Sequence, residues 1–483
     1  TALTEIDATG KLIQTGDALV VFDRQGDQIT GYDVSDAANP VESWSLPLED
    51  QLVTARETGG QLYVVTETRV GPGTDCPIEP LGSEEAIACG DIYAPDTQTS
   101  ASAAYTAFSI DAASGTVDDS VSMMGTGSGT VVYMSHDNLY LTYTTGVSRS
   151  DLRASWVENS DVVPEGLADR IAEIHSYDLS EGPTRDAMRI AVNQWTGSNS
   201  ELDRTTLQED FADYQRANRE NLTTTGIVRV GVDGANLQVG QAGTVPGEPL
   251  NQFALDEYQG TLRITTTIPR VAGAESDNRL YVLGNESLDR EANISGLGHD
   301  QRVYSVRYTG DTAYVVTYRQ IDPFYVIDFE EPTEPELRGE LKLPGFSSYL
   351  HPLDDDHVLG IGEENGQVKA VTFDVSDPTD PTIDARLQLD SFWSAIDDTH
   401  HAFTIDRRHE VFFLPAGNSG KIVSYADGDL EIVKEVSANS EVSRARYVND
   451  YLYVFAGSEI TVLDETTWEE TTTLSLGNHS SDR

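Results

Sequence analysis

Lysine is nearly missing from this chain. It fills five of 483 positions, Lys11, Lys342, Lys369, Lys421 and Lys434, while Asp and Glu number 81 against 31 Lys and Arg, a formal charge of −50. So acidic a field repels nucleic acid and anionic bilayers, which removes nucleic-acid binding from the candidate roles. The acids are spread along the chain rather than gathered in a tail, as expected of a halophile protein working in salt where screening lengths fall to ~3 Å. No apolar run approaches the ~18 residues needed to span a bilayer, and no C-terminal cysteine offers a lipid anchor, so direct membrane insertion is not expected. HExxH and GxSxG are missing, and no run has the acid and glycine spacing of an EF-hand, so no catalytic residues are assigned and the chain is read as a non-enzyme. Cysteine occurs twice, as Cys76 and Cys89 in one Gly/Pro-rich loop, where a pair in an exported protein reads as a disulfide stapling a segment without a core.

What is abundant is alternation. Hydrophobic residues make up 38% of the chain and recur with period two, which excludes an acidic disordered protein. Eight times a strand-like run breaks at a small or acidic turn and restarts: GDALVVF, GGQLYVV, HDNLYLT, QGTLRIT, GDTAYVV, DDHVLGI, THHAFTI and NDYLYVF. Most copies lead into a further strand signal such as VTFDVSDPTDPT or ITVLDETTWEE. With insertions discounted, the period matches the roughly 40 to 45 residues of a four-stranded propeller blade, a unit that must stack on neighbours to bury its faces. The units run 10–47, 51–125, 130–247, 251–297, 302–345, 347–389, 392–437 and 442–477. The expected fold is therefore an all-β propeller over 1–483, of eight blades with seven as the fallback. It closes first blade on last, with Ala2 to Asp7 available to lend a strand.

Two insertions break the period. One is the Cys loop over 70–104. The other, 148–225, reads helically, with PEGLADRIAEI placing Pro at a first turn and SELDRTTLQEDFADYQRANREN running from acidic to basic. Loops on a rigid scaffold are where binding is expected.

The segments NQFALDEYQGTLRITTT (251–267) and RVYSVRYTGDTAYVVTYRQIDPFYVIDFEEPTEPELRGELKLPGFSSYLHPLDDDHVLGIG (302–362) carry a resemblance. The chain resembles the secreted beta-propeller-domain proteins of haloarchaea and some bacteria, distantly akin to WD-repeat propellers. The resemblance covers nearly the whole chain and implies a propeller at an extracellular or envelope location, and it carries no catalytic residues over. Thr1 is not an initiator, so a leader or tag is expected to have been removed, and sequons at Asn221, Asn285, Asn293 and Asn478 suit a glycoprotein outside the cell.

Aligning the units brings out Arg56, Arg307 and Arg446 at equivalent places in the strand before the turn, with Arg444 two residues before Arg446 and Asp256 at the matching place in a fourth unit. Such arginines could hold a small anion in the propeller channel through forked hydrogen bonds. The favoured reading is inter-blade ion pairing with Asp256, Glu257 or Glu57. His351 and His357 flank Asp354, Asp355 and Asp356, and His400, His401, Asp406 and His409 follow one unit later. Both sets read as turns rather than transition-metal ligands, His400 and His401 being expected on opposite faces of a strand. Calcium is the more plausible ion for acidic loops such as DVSDPTDPT, DRQGD and YADGD, though no cofactor is established. Gly125, Gly127 and Gly129, and Gly360, Gly362 and Gly366, read as turns. The function expected is a structural, adhesion or self-assembly module at the cell surface, partnered by its own copies or by surface proteins and glycans. An enzyme acting on a polysaccharide or other polymer at the channel, and a small-anion binder, are the alternatives.

Overall fold

The computed structural model describes residues 6–475 apart from 7, 24–25, 72, 95–100, 178, 199–203 and 320–321. Its strands form eight sheets in chain order, six of four strands and two of five, antiparallel except where Ile92–Tyr93 joins the second sheet in parallel. We number these blades 1 to 8 and letter their strands a to d in chain order. The chain packs as two compact units, residues 2–293 with blades 1 to 4 and residues 294–483 with blades 5 to 8. Ala2 to Asp7, Ile6 excepted, lie outside the described residues, as does Asn478.

Turn chemistry sets the blade frame. Two-residue hairpins need positive φ, which Asn365-Gly366 (54° and 75°) supplies between strands b and c of blade 6. At the c to d corners the acids serve as acceptors: Asp374 Oδ1 takes the Ser376 amide at 2.9 Å, and Asp377 Oδ1 takes the Thr379 amide at 2.9 Å. These bonds, with those from the Ser376 and Thr379 hydroxyls, hold both carboxyls below the ordinary aspartate value. The DVSDPTDPT acids are thus committed to turns, which is how an acid-rich chain uses its excess charge locally.

Middle strands are buried on both faces because adjacent sheets pack face to face within each unit. Phe22 and Ile29 of blade 1 meet Val64 and Phe108 of blade 2, and Tyr105 of blade 2 meets Leu141 and Val228 of blade 3. In the second unit Phe324 of blade 5 stacks on Phe373 of blade 6, with ring centroids 4.1 Å apart, and Phe413 of blade 7 packs with Leu452 of blade 8. Each such side chain contributes about 1.5–3 kcal/mol by leaving water.

The two segments that interrupt the repeat hold a disulfide and a set of helices. Cys76 and Cys89 form the disulfide. Between strands b (Asn138–Gly146) and c (Thr223–Asp233) of blade 3 lie five helices: α1 Arg149–Asn159, α2 Glu165–His175, α3 Glu181–Ser198, α4 Arg204–Ala217 and α5 Arg219–Leu222. The Ser148 side chain caps α1 by accepting from the Asp151 amide.

Three expectations are corrected. The seventh restart is not at THHAFTI, because His400–Ala402 forms a 3-10 turn, and strand b begins only at Val411. The Ser394 and Thr399 side chains accept the amides two residues on and turn the chain before it can extend. His400 and His401 accordingly do not face opposite sides of a strand; their rings lie 4.0 Å apart. Gly360 and Gly362 lie inside a strand rather than in turns, where a Cβ would meet the Phe373 ring at 2.8 Å and the Phe346 carbonyl oxygen at 2.0 Å.

Candidate functional site

The aligned arginines do occupy equivalent register positions. Arg56, Arg307 and Arg446 stand opposite Tyr63, Tyr314 and Tyr453, and Asp256 stands opposite Arg263. Their partners differ from the inter-blade pairs anticipated. Asp256 is paired with Arg263 across its own hairpin. Glu57 accepts from Thr15 of blade 1 at 2.8 Å and from the Gly60 amide. Arg56 donates to Thr54 Oγ1 (2.8 Å) and to the Ala55 carbonyl (2.9 Å), and Arg446 to Thr404 Oγ1 (3.4 Å); among the described residues no carboxylate lies within 4.0 Å of either guanidinium. Arg444 lies over the Phe455 ring. The pairing expectation therefore fails at Arg56 and Arg446, because register brings hydroxyls and carbonyls rather than acids to those strand edges.

Glu257 is an inter-blade post held by hydrogen bonds instead. It accepts from Ser135 (2.6 Å), Asn138 (3.0 Å) and Tyr140 (2.9 Å) of blade 3 and from Asn285 (3.0 Å) of its own blade 4. Burial opposes its ionisation, yet the donors outweigh it and hold the carboxyl below the ordinary glutamate value. The Asn285 amide is committed to this post, while Asn221 and Asn293 are exposed.

His351 is packed against the Phe403 ring, centroids 4.8 Å apart, with Tyr349 Oη 3.2 Å from its Nδ1 and its Nε2 buried without a hydrogen-bond partner among the described residues. Burial, then the charges of Arg307 and Arg407, push its pKa down to about 4, so the ring is a neutral packing element. His357 is separate, its Nδ1 2.9 Å from Asp354 Oδ1 and its Nε2 4.0 Å from Asp384.

The one group in which imidazole and carboxylates converge, among the described residues, is Asp406, His409 and Glu465, each offering a ligand atom within 4.8 Å of the others. The turn leaving strand a of blade 7 (Thr404–Asp406) folds because Asp406 Oδ1 accepts the Arg408 amide at 2.8 Å, which brings His409 Nδ1 to 2.6 Å from Oδ2. Glu465 enters from blade 8, at the corner where Asp464 Oδ1 accepts the amides of Thr466 and Thr467. It is 2% exposed, 4.0 Å from His409 Nδ1 and ion-paired with Arg408, which is 59% exposed and also reaches Asp450 at 3.7 Å. The Trp468 and His409 rings lie nearly perpendicular, centroids 6.3 Å apart. Alongside opens a cleft of about 450 Å³ lined by Ile405, Arg407, Arg408, Tyr447 and Asn449 together with Asp406 and Glu465. The Tyr447 hydroxyl is buried there without a hydrogen-bond partner among the described residues, its pKa raised by burial and then by Asp406 and Tyr425.

Glu465 escaped the sequence reading, although the repeat held a signal for it. In blades 1, 5, 6 and 8 the residue after the strand-ending acid donates its amide to a carbonyl of the a to b turn: Val34 to Asp17, Phe329 to Asp311, Val375 to Asp356 and Glu465 to Asp450, a bond made in blades 4 and 7 by Asn285 to Gly260 and Tyr425 to Glu410. Aligning GYDVSD, IDFEEP, FDVSDP and LDETTW shows an apolar side chain at this place in three blades and a glutamate in the last.

A chain of repeated four-stranded sheets with this corner chemistry belongs to the beta propeller domain family, whose pattern matches residues 11–468. It is 38% identical over 480 residues to an uncharacterised protein of Archaeoglobus fulgidus, covering 98% of this chain and 75% of that protein. An uncharacterised protein of Methanocaldococcus jannaschii is 32% identical, with 97% and 75% covered. Among solved structures, BamB from Moraxella catarrhalis is similar at 10% identity and a TM-score of 0.43, covering 94% of this chain and 92% of that one. No helix among the described residues is long and apolar enough to cross a membrane.

Proposed function

We propose that this chain is a non-enzymatic binding scaffold at the outer surface of a halophilic archaeal cell, with the helical module of blade 3 as its recognition element. Its partner is a second copy of the chain or another surface protein or glycan. The construction of the module carries this reading. Strands b and c of blade 3 pair up to Gly146 and Thr223, so the sheet does not need the helices to close. The helices have a core of their own, built around Trp156, Leu167, Ile171, Met188 and Leu207. They are pinned to blade 4, where Arg279 meets Glu220 (2.6 Å) and Asp277 (2.9 Å). A separately packed unit on a rigid base suits recognition better than sheet closure. The disulfide supports an oxidising compartment, and the dispersed acid supports concentrated salt.

Replacing residues 147–222 by an Asn-Gly turn tests this. The shortened chain is expected to keep its β-sheet circular dichroism and cooperative melting while losing self-association or retention on the cell surface. Unchanged association, measured by light scattering in molar salt, together with unchanged retention would refute the proposed role.

A second reading rests on Arg56 and Arg446, whose guanidiniums meet no carboxylate among the described residues. Arginine in that state suits a small anion. Sulfate or a dicarboxylate bound at either arginine should then raise the melting temperature of the parent chain more than that of the corresponding single variant, Arg56→Ala or Arg446→Ala.

A further inference from the structure

Glu465 poses a problem that neither turn formation nor the proposed recognition role explains. Its place in the repeat holds a buried apolar side chain in blades 5 and 6, Phe329 (0% exposed) and Val375 (6%), and a half-buried residue, Val34, Asn285 or Tyr425, in blades 1, 4 and 7; in none of these is it an acid. A carboxylate there costs several kcal/mol of desolvation, and an apolar residue of similar volume would be at least as stable. Arg408, more than half exposed, is a loose counter-charge for a carboxylate buried to 2%. A function independent of folding is the reason to keep an acid in that slot.

The Asp-His pair alone does not make the site, because Asp354 and His357 form the same local contact in blade 6. There, among the described residues, no buried acid joins them, and the second carboxylate, Asp384, faces the opposite ring nitrogen. In blade 7 the pair is joined by Glu465 on the Nδ1 side, beside an open cleft.

We infer that Asp406 Oδ2, His409 Nδ1 and Glu465 Oε1 form a binding site for a first-row transition dication of the Zn²⁺ type. One imidazole with two carboxylates suits such ions better than calcium, which takes six or more oxygens. Tetrahedral zinc holds ligand atoms about 3.3 Å apart. The present separations, 2.6 Å from Asp406 to His409 and 4.0 Å from His409 to Glu465, straddle that value, so rotamer shifts suffice. The ion replaces the hydrogen shared by His409 and Asp406, which leaves to solvent, and it displaces Arg408 from Glu465. Arg408 is free to swing toward Asp450, which it already approaches at the surface. The fourth position opens to the cleft and takes water or a donor from a partner. Arg408 therefore acts as a resident cation that the metal must displace.

Zinc is titrated calorimetrically into the full chain in molar salt with excess Mg²⁺ to saturate diffuse acidic sites, and Co²⁺ is followed by its visible absorption. One tight equivalent per chain is expected. His409→Ala should weaken it by more than about tenfold, and Arg408→Gln should tighten it by about tenfold. His357→Ala should leave it unchanged. Glu465→Val, which places there the residue found in blades 1 and 6, should abolish the site while melting no lower than the parent without metal. His409 is partly exposed, so its variant reports even if Glu465→Val folds poorly. A tight equivalent that persists in both His409→Ala and Glu465→Val, or a parent chain that binds zinc no better than either, overturns the inference.

Discussion

Glu257→Ala is expected to destabilise the fold by about 3 kcal/mol or more, because it strands donors from Ser135, Asn138, Tyr140 and Asn285 at the seam between blades 3 and 4. The cost comes from desolvated donors left without an acceptor rather than from lost Coulomb attraction, since among the described residues no cation is ion-paired with this carboxylate in the way Arg263 is with Asp256. Glu257→Gln keeps one carbonyl acceptor and should lose roughly half as much. Chemical denaturation at neutral pH reads both, and equal losses for alanine and glutamine would assign the effect to charge. The lowered folded pKa adds a pH signature. The stabilisation is present above the ordinary glutamate range and is lost as pH falls through the folded value, so the gap between parent and alanine variant should narrow in acid.

His351 gives the second large effect, with a different origin. Its folded pKa is about 4 against 6.5 for a free imidazole, because desolvation and then the positive charges of Arg307 and Arg407 oppose its protonation. As pH falls below 6.5 the unfolded chain takes up a proton that the folded chain refuses, so stability drops, and the loss is complete once pH passes about 4. The integrated loss is about 3 kcal/mol. His351→Phe keeps an aromatic ring against Tyr349 and Phe403 and removes the titration. Thermal melts between pH 7 and pH 4 should therefore show a shallower acid decline for the phenylalanine variant than for the parent. Parallel curves would mean that His351 titrates normally.

These two residues also mark where sequence reasoning stops. Blade limits were legible because hairpin turns and buried alternation are local, and each boundary recurs with the period. Blade 1 spans 10–47 in both the repeat and the structure. Blade 7 was misplaced because THHAFTI has strand-like composition, while the hydroxyls of Ser394 and Thr399 that bend it act through single hydrogen bonds no periodicity reports. Side-chain partnership was less legible still. Asp256 and Glu257 are adjacent, yet the strand's alternation sends one to Arg263 in its own hairpin and the other to blade 3. Which acid meets which donor is fixed by register and by the neighbouring sheet, neither of which a linear pattern contains. The metal-ligand set drew Asp406 and His409 from one turn, but its third member lies 56 residues beyond His409, on the next blade.

The scarcity of lysine acquires a practical meaning once burial is known. Lys369 is fully buried, with its Nζ on the Pro344 carbonyl at 2.8 Å, and Lys421 is nearly so, paired with Glu435 at 2.7 Å. Amine-reactive dyes, biotin esters and cross-linkers thus have three lysine handles on the folded chain: Lys11 on blade 1, Lys342 on blade 5 and Lys434 on blade 7. The helical module carries none, so lysine-directed labelling leaves its surface unmodified.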